Sequence, residues 1–161
     1  MDTMDEKPER TSRPAVDYGE LNERIGYLLR RAQVAVFSDF FQTFSDFGIS
    51  PAQYSILTII GRNPGLSQTE VADALGIKKT NFVAVIKDLE KRGPVLRTAM
   101  PTDRRSFALT LSPAGITLLT QLHAAALQHE NRICTMFGVE LYAALMDPLY
   151  RLTRLERQEQ P

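Results

Sequence analysis

The 161 residues predict a mainly α fold of about six helices with one two-stranded hairpin. Three observations carry this. Apolar residues recur every three to four positions along most of the chain, the period of an amphipathic helix. Ser-Pro and Ser-x-x-Glu starts alternate with Gly stops, which punctuates that period into separate helices. Strict apolar alternation occurs in one stretch, Phe107, Leu109 and Leu111 against Ala108 and Thr110, the signature of a half-buried strand.

The elements follow in order. Residues 1–18 are charged and Pro-containing, with six acids against three bases in the first twenty, and read as a disordered segment. A helix is expected from Leu21 to about Phe47, its stripe formed by Leu21, Ile25, Leu28, Ala32, Val36, Phe40 and Phe44 and widened by Leu29, Phe37 and Phe41; Gly48 stops it. So wide a face exceeds what one small domain buries, and residues 19–49 read as a dimerisation helix. Ser50-Pro51 restarts the chain as a helix with Tyr54, Ile56, Leu57 and Ile60 inward, until Asn63-Pro64-Gly65 breaks it.

Ser67 and Glu70 have capping-box spacing, so a short helix runs from about 67 to 75 and closes at Gly76. A further helix, about 79–92, turns Phe82, Val85, Ile86 and Leu89 inward. Two short helices across a tight Gly turn are a helix-turn-helix. Strands at Val95–Ala99 and Ser106–Leu111, joined by a turn over Pro101–Arg105, complete a winged helix-turn-helix over residues 50–112. Ser112-Pro113 then opens a long helix with Ile116, Leu119, Leu122, Ala126, Ile133 and Phe137 on its stripe. After Gly138 a last helix carries Leu141, Leu145, Leu149, Leu152 and Leu155 to about Arg157. Residues 113–157 read as C-terminal dimerisation helices and 158–161 as a tail.

The net charge is zero, which excludes a global signal for nucleic acid or membrane, yet the charge is uneven. Between Lys78 and Arg105 there are eight basic residues, Lys78, Lys79, Lys87, Lys91, Arg92, Arg97, Arg104 and Arg105, against Asp88, Glu90 and Asp103. The excess falls on the second helix of the motif and on the hairpin, the two elements a winged helix presents to a DNA duplex, whose phosphates attract cations. In that docking Lys78, Lys79, Thr80 and Asn81 enter the major groove, with Asn81 suited to an adenine edge and lysine to guanine. Thr80 serves as a cap or meets a phosphate, and Lys87, further along, meets a phosphate or solvent. Arg104 and Arg105 reach the neighbouring minor groove, and Asp103 holds one arginine and so aims the other.

This order of elements resembles the MarR family of bacterial transcription regulators. The likeness rests on the wing run Asp103-Arg104-Arg105 through Leu109, Leu111 and Ser112 to Gly115, and on Leu89, Glu90, Arg92 and Gly93 before it, and spans residues 20–157. It implies a homodimer on a pseudo-palindromic operator of double-stranded DNA, with half-sites about 10 bp apart, and a repressor released by a small ligand. Val83 and Ala84 stand where a small hydroxyl residue and an arginine are common in the family, and Pro94 where Leu is common.

The segment ERIGYLLRRAQ, residues 23–33, resembles that of regulators of aromatic-acid catabolism, those answering to phenolic acids or their CoA thioesters, so a small aromatic acid or its CoA thioester is the expected effector. Arg31 is then the expected carboxylate contact, since a planar guanidinium binds carboxylate bidentately. Tyr27, Tyr54 and His123 are further candidates. Cys134 reads as a buried structural thiol, although an oxidant response through it is an alternative for this family. A winged helix used for protein contact is another alternative.

No H-E-x-x-H, nucleotide-binding glycine loop or cysteine pair is present, so neither catalysis nor a cofactor or metal is expected. The polar N-terminus and the lack of a long apolar run lead to a cytoplasmic protein without membrane contact.

Overall fold

The structure, a computed structural model, describes residues 16–100 and 103–155. Element order is α1 (Ile25–Thr43), α2 (Pro51–Arg62), α3 (Gln68–Ala74), α4 (Lys79–Arg92), β1 (Val95–Met100), β2 (Asp103–Leu111), α5 (Pro113–Phe137) and α6 (Val139–Leu155). Short 3-10 turns at Gly19–Glu23 and Ser45–Phe47 flank α1. The expected single helix from Leu21 to Phe47 is therefore three pieces. Arg24 turns extended at ψ 120° and separates the first turn from α1, and Phe44 leaves the helical region before Gly48 takes the left-handed φ of 57°. An apolar stripe reports which residues share a face, but says nothing about a backbone break between them.

The chain divides into two units, Met1–Val34 and Ala35–Pro161. In the first, the acceptor hydroxyl of Tyr27 meets the Arg31 guanidinium at 3.3 Å, and Tyr18 and Tyr27 stand with ring centroids 6.2 Å apart. The apolar residues of this unit are exposed, Ile25 at 66% and Leu28 at 49%.

The second unit holds the core. Phe44, Ile56, Leu57, Ile60, Val71, Phe82, Ile86, Leu89, Val95, Leu109 and Leu122 are all less than 2% exposed. They come from every element between α1 and α5, so the helix-turn-helix, hairpin and long helix fold around one interior. Local sequence sets each start. Ser50 and Ser67 each accept from the backbone N–H three residues on, and Gln53 and Glu70 accept in return from the N–H of Ser50 and Ser67. Ser112 caps α5 by accepting from Gly115 N–H at 3.0 Å.

β1 and β2 pair antiparallel from Val95↔Leu111 to Ala99↔Phe107, and the register slips between Ala99 and Met100. The strands exceed expectation at the tip: Asp103, placed in the turn by sequence, pairs with Met100 and opens β2. Pro101 and Thr102 of that turn lie outside the described residues. The loop before α3 adds backbone pairing to the hairpin. Gly65 N–H donates to Leu109 O at 2.9 Å, and Leu109 N–H donates to Leu66 O at 2.8 Å.

Wing and long helix meet tightly. Ser112 N–H donates to Pro94 O at 3.0 Å and Ser112 Oγ to Gly93 O at 2.7 Å. A side chain at Gly115 would stand 2.1 Å from Pro94 O, so this close approach requires glycine. Among the described side chains of α6 none is buried, and Val139, Leu141 and Tyr150 are 74%, 57% and 58% exposed. Ile116, expected on the inward stripe of α5, is 58% exposed. No helix among the described residues is long and apolar enough to cross a membrane.

Candidate nucleic-acid interface

The second helix of the motif presents its first turn to solvent. α4 begins at Lys79, and Lys78 is its N-cap residue without a side-chain cap bond. Thr80, expected as a possible cap, does not cap; it lies inside the helix and is exposed. Lys78, Lys79, Asn81, Val83, Ala84 and Lys87 are exposed as well, while Phe82, Ile86 and Leu89 fix the opposite face in the core. Among the described residues the Asn81 amide has no hydrogen-bond partner, and none of Lys78, Lys79, Lys87 and Lys91 is in an ion pair. These groups are therefore available to an outside acceptor or donor.

Among the described basic side chains of this segment, two are committed internally. Arg92, in the last turn of α4, donates to Gly48 O at 2.9 Å and Phe47 O at 3.0 Å, and lies 3.6 Å from Asp88. Arg97 lies on β1 beside Glu90 and over Phe107. Both pairings also occupy acids, so among the described side chains the cations left for a phosphate backbone are the lysines. Arg104 and Arg105 lie in the first residues of β2, at the tip of the hairpin. Their side chains and that of Asp103 lie outside the described residues.

The expected effector contacts fall in two places. Arg31 and Tyr27 are paired in the first unit, and the hydroxyls of Tyr27 and Tyr18 hold the guanidinium pKa above its usual value. Tyr54 and His123 meet edge to face in the second unit, with centroids 6.0 Å apart. Phe40 stands 6.0 Å from Tyr54 and stacks on Phe44 at 3.8 Å, so the Tyr54–His123 pair borders an aromatic cluster.

Sequence reasoning passed over one polar group. His129, 5% exposed, bonds through Nδ1 to Asp39 Oδ2 at 2.6 Å. Arg132 grips the same carboxylate with Nε and Nη2, both at 2.9 Å, and also reaches Thr43. A charged carboxylate only accepts, so Nδ1 carries the proton in this bond. Hydrogen bonds from Arg132 and His129 hold the Asp39 pKa down at about 2. The residues are 90 positions apart and no local spacing links them. The only available sign was Asp39 interrupting an apolar stripe. Cys134, expected to be buried, is partly exposed. Among the described residues no cluster of three His, Cys, Asp or Glu side chains could hold a metal.

A sequence profile of the MarR family matches residues 47–106, from the turn after α1 to the wing. Over 153 residues the chain is 30% identical to a Thauera aromatica protein named "Putative transcriptional regulatory protein for hcr operon", covering 94% of this chain and 92% of that one. Among solved structures it is similar to the transcriptional repressor CouR bound to a 23-mer DNA duplex, at 40% identity and a TM-score of 0.81, covering 87% of this chain and 99% of that one. CouR bound to p-coumaroyl-CoA superimposes with the same TM-score and coverage at 38% identity.

Proposed function

The chain belongs to the MarR family, and from that premise we propose that it is a homodimeric, sequence-specific DNA-binding repressor released by an aromatic acid or its CoA thioester. One observation carries the DNA reading: the start of α4 offers Lys78, Lys79 and Asn81 to solvent, without a side-chain partner among the described residues, while its other face is locked in the core. A helix held in this way can enter a major groove without refolding, and Asn81 then meets an adenine edge. The hairpin beside it carries Arg104 and Arg105 toward the adjacent minor groove.

The dimer reading is supported by apolar surface left uncovered among the described residues. Phe137, Val139, Leu141, Leu145, Leu149 and Leu152 are 36–74% exposed on consecutive helices. Exposed apolar residues in such number point to an interface. The effector reading is supported by likeness to CouR with p-coumaroyl-CoA, which puts aryl-CoA thioesters first among the compounds to try. Arg31 and Tyr27 would hold an acidic group of the effector. Release requires the ligand to bind tighter to a dimer whose two α4 helices no longer match the operator spacing.

The test is a mobility shift with DNA from the protein's own promoter and neighbouring intergenic regions, with and without aromatic acids and their CoA thioesters. A specific shift abolished by one compound supports the whole reading. A shift insensitive to the panel retains the DNA claim and removes the effector claim. Absence of any shift at low salt, from a dimer, overturns the DNA claim.

A further inference from the structure

Arg97 has little of its guanidinium left for a phosphate. From β1 its Nη1 reaches Glu90 Oε2 on α4 at 3.4 Å, and its plane lies 4.1 Å over the Phe107 ring on β2. With the Gln68 amide turned to its better-bonded orientation, the oxygen accepts from Nε at 3.2 Å and Nη2 at 3.1 Å, which adds α3. One side chain, 21% exposed, therefore touches both helices of the helix-turn-helix and the opposite strand of the hairpin.

The hairpin needs such a fastening. A two-stranded ribbon is marginal alone. Its inner half is held by the backbone bonds of Gly65 and Leu66 to Leu109 and by the bridge between Ser67 and Ala108. Beyond Ala108 those backbone bonds end among the described residues, and the pairing register slips at Ala99/Met100. Phe107, folded over Arg97, is the next point toward the tip.

Resting on the DNA-binding reading above, we propose that Arg97 is a positioning residue for the wing. It sets the hairpin against α3 and α4, so that the end of β2 bearing Arg104 and Arg105 stands at a fixed offset from the first turn of α4. It acts through geometry and makes no contact with the duplex. A planar fork stacked on a ring is not reproduced by lysine, although lysine keeps the charge.

The experiment compares Arg97→Lys, Arg97→Ala and Glu90→Gln with wild type on a footprinted operator. Two series of changed operators are included, one altered where α4 lies and one where A·T pairs under the wing become G·C. Urea midpoints are measured alongside. Positioning predicts that Arg97→Lys and Glu90→Gln each weaken binding by on the order of tenfold. Both should flatten discrimination under the wing and leave discrimination under α4 intact. Glu90→Gln is the sharpest arm, because removing an acid near phosphates should tighten binding on charge alone. Tighter binding by Glu90→Gln overturns the proposal. So does wild-type affinity in Arg97→Lys with a salt slope lowered by about 0.9 in Arg97→Ala, the mark of a phosphate contact. A loss uniform across all operators that follows the urea midpoint overturns it too, since that is global destabilisation. Wild type that binds no fragment sinks the DNA reading and the proposal together, which is distinct from failure of the variants alone.

Discussion

Replacing Gly115 by alanine should separate the wing from the long helix. The added methyl would lie 2.1 Å from Pro94 O and 2.9 Å from Pro94 C. Ordinary C···O contacts need about 3.3 Å, so the start of α5 must retreat by roughly 1 Å. That retreat stretches Ser112 N–H to Pro94 O, now 3.0 Å, and Ser112 Oγ to Gly93 O, now 2.7 Å. Each bond is worth about 0.5–1.5 kcal/mol, and overpacking against backbone adds about 1–3 kcal/mol. The higher helix propensity of alanine returns about 1 kcal/mol. The net expectation is a loss of about 3 kcal/mol. Urea unfolding at fixed protein concentration measures it, and a midpoint shift on the order of 1–1.5 M is expected. Ala114→Gly, one residue away and exposed, is the control and should cost no more than about 1 kcal/mol. A Gly115→Ala protein within about 0.5 kcal/mol of wild type would refute the close-approach argument, because relaxation would then be nearly free.

Other changes probe different links. Asn81→Ala should lose about 1–3 kcal/mol at one base pair with an unchanged salt slope, whereas Lys87→Ala should weaken all sequences alike and lower the slope by about 0.9; binding isotherms across salt separate the two, and the reverse pattern would reassign both. Asp39 has a folded pKa depressed to about 2, so its pairing stabilises the fold above its unfolded pKa of about 4 and is lost as pH falls from there through 2. Asp39→Asn should therefore be less stable than wild type at neutral pH, with the gap closing between about pH 4 and 2; a gap constant down to pH 2 in acid titrations would mean that charge plays no part. Arg31→Ala should raise the effector concentration needed for operator release by about tenfold or more with basal operator affinity unchanged, and an unaltered titration would remove Arg31 from the effector site.

What the sequence discloses depends on how far apart the cooperating groups lie. The starts of α2, α3 and α5 were legible because Ser50-Pro51, Ser67 with Glu70 and Ser112-Pro113 act within one turn. The core face of α4 was legible because its period is local. The roles of Arg92 and Arg97 were not. Each looks like a solvated cation until the fold brings a carbonyl 44 residues away, or a ring on the neighbouring strand, to it. The Asp39–His129–Arg132 group is hidden for the same reason. The first helix failed differently: periodicity fixed which residues share a face, while the break at Arg24 is a backbone property that leaves the stripe undisturbed.

The grip of Arg92 on Phe47 and Gly48 makes α4 a lever with its pivot at one end. Fourteen residues span about 21 Å at 1.5 Å per residue. A tilt of roughly 5° about that pivot carries Asn81 about 1.4 Å and Lys79 about 1.7 Å sideways. A bidentate bond to a base edge tolerates only about 0.5 Å. A small movement at the turn after α1 that tilts α4, repacking Phe82 against the core, would thus be multiplied at the far end of the helix into loss of register with the base pairs.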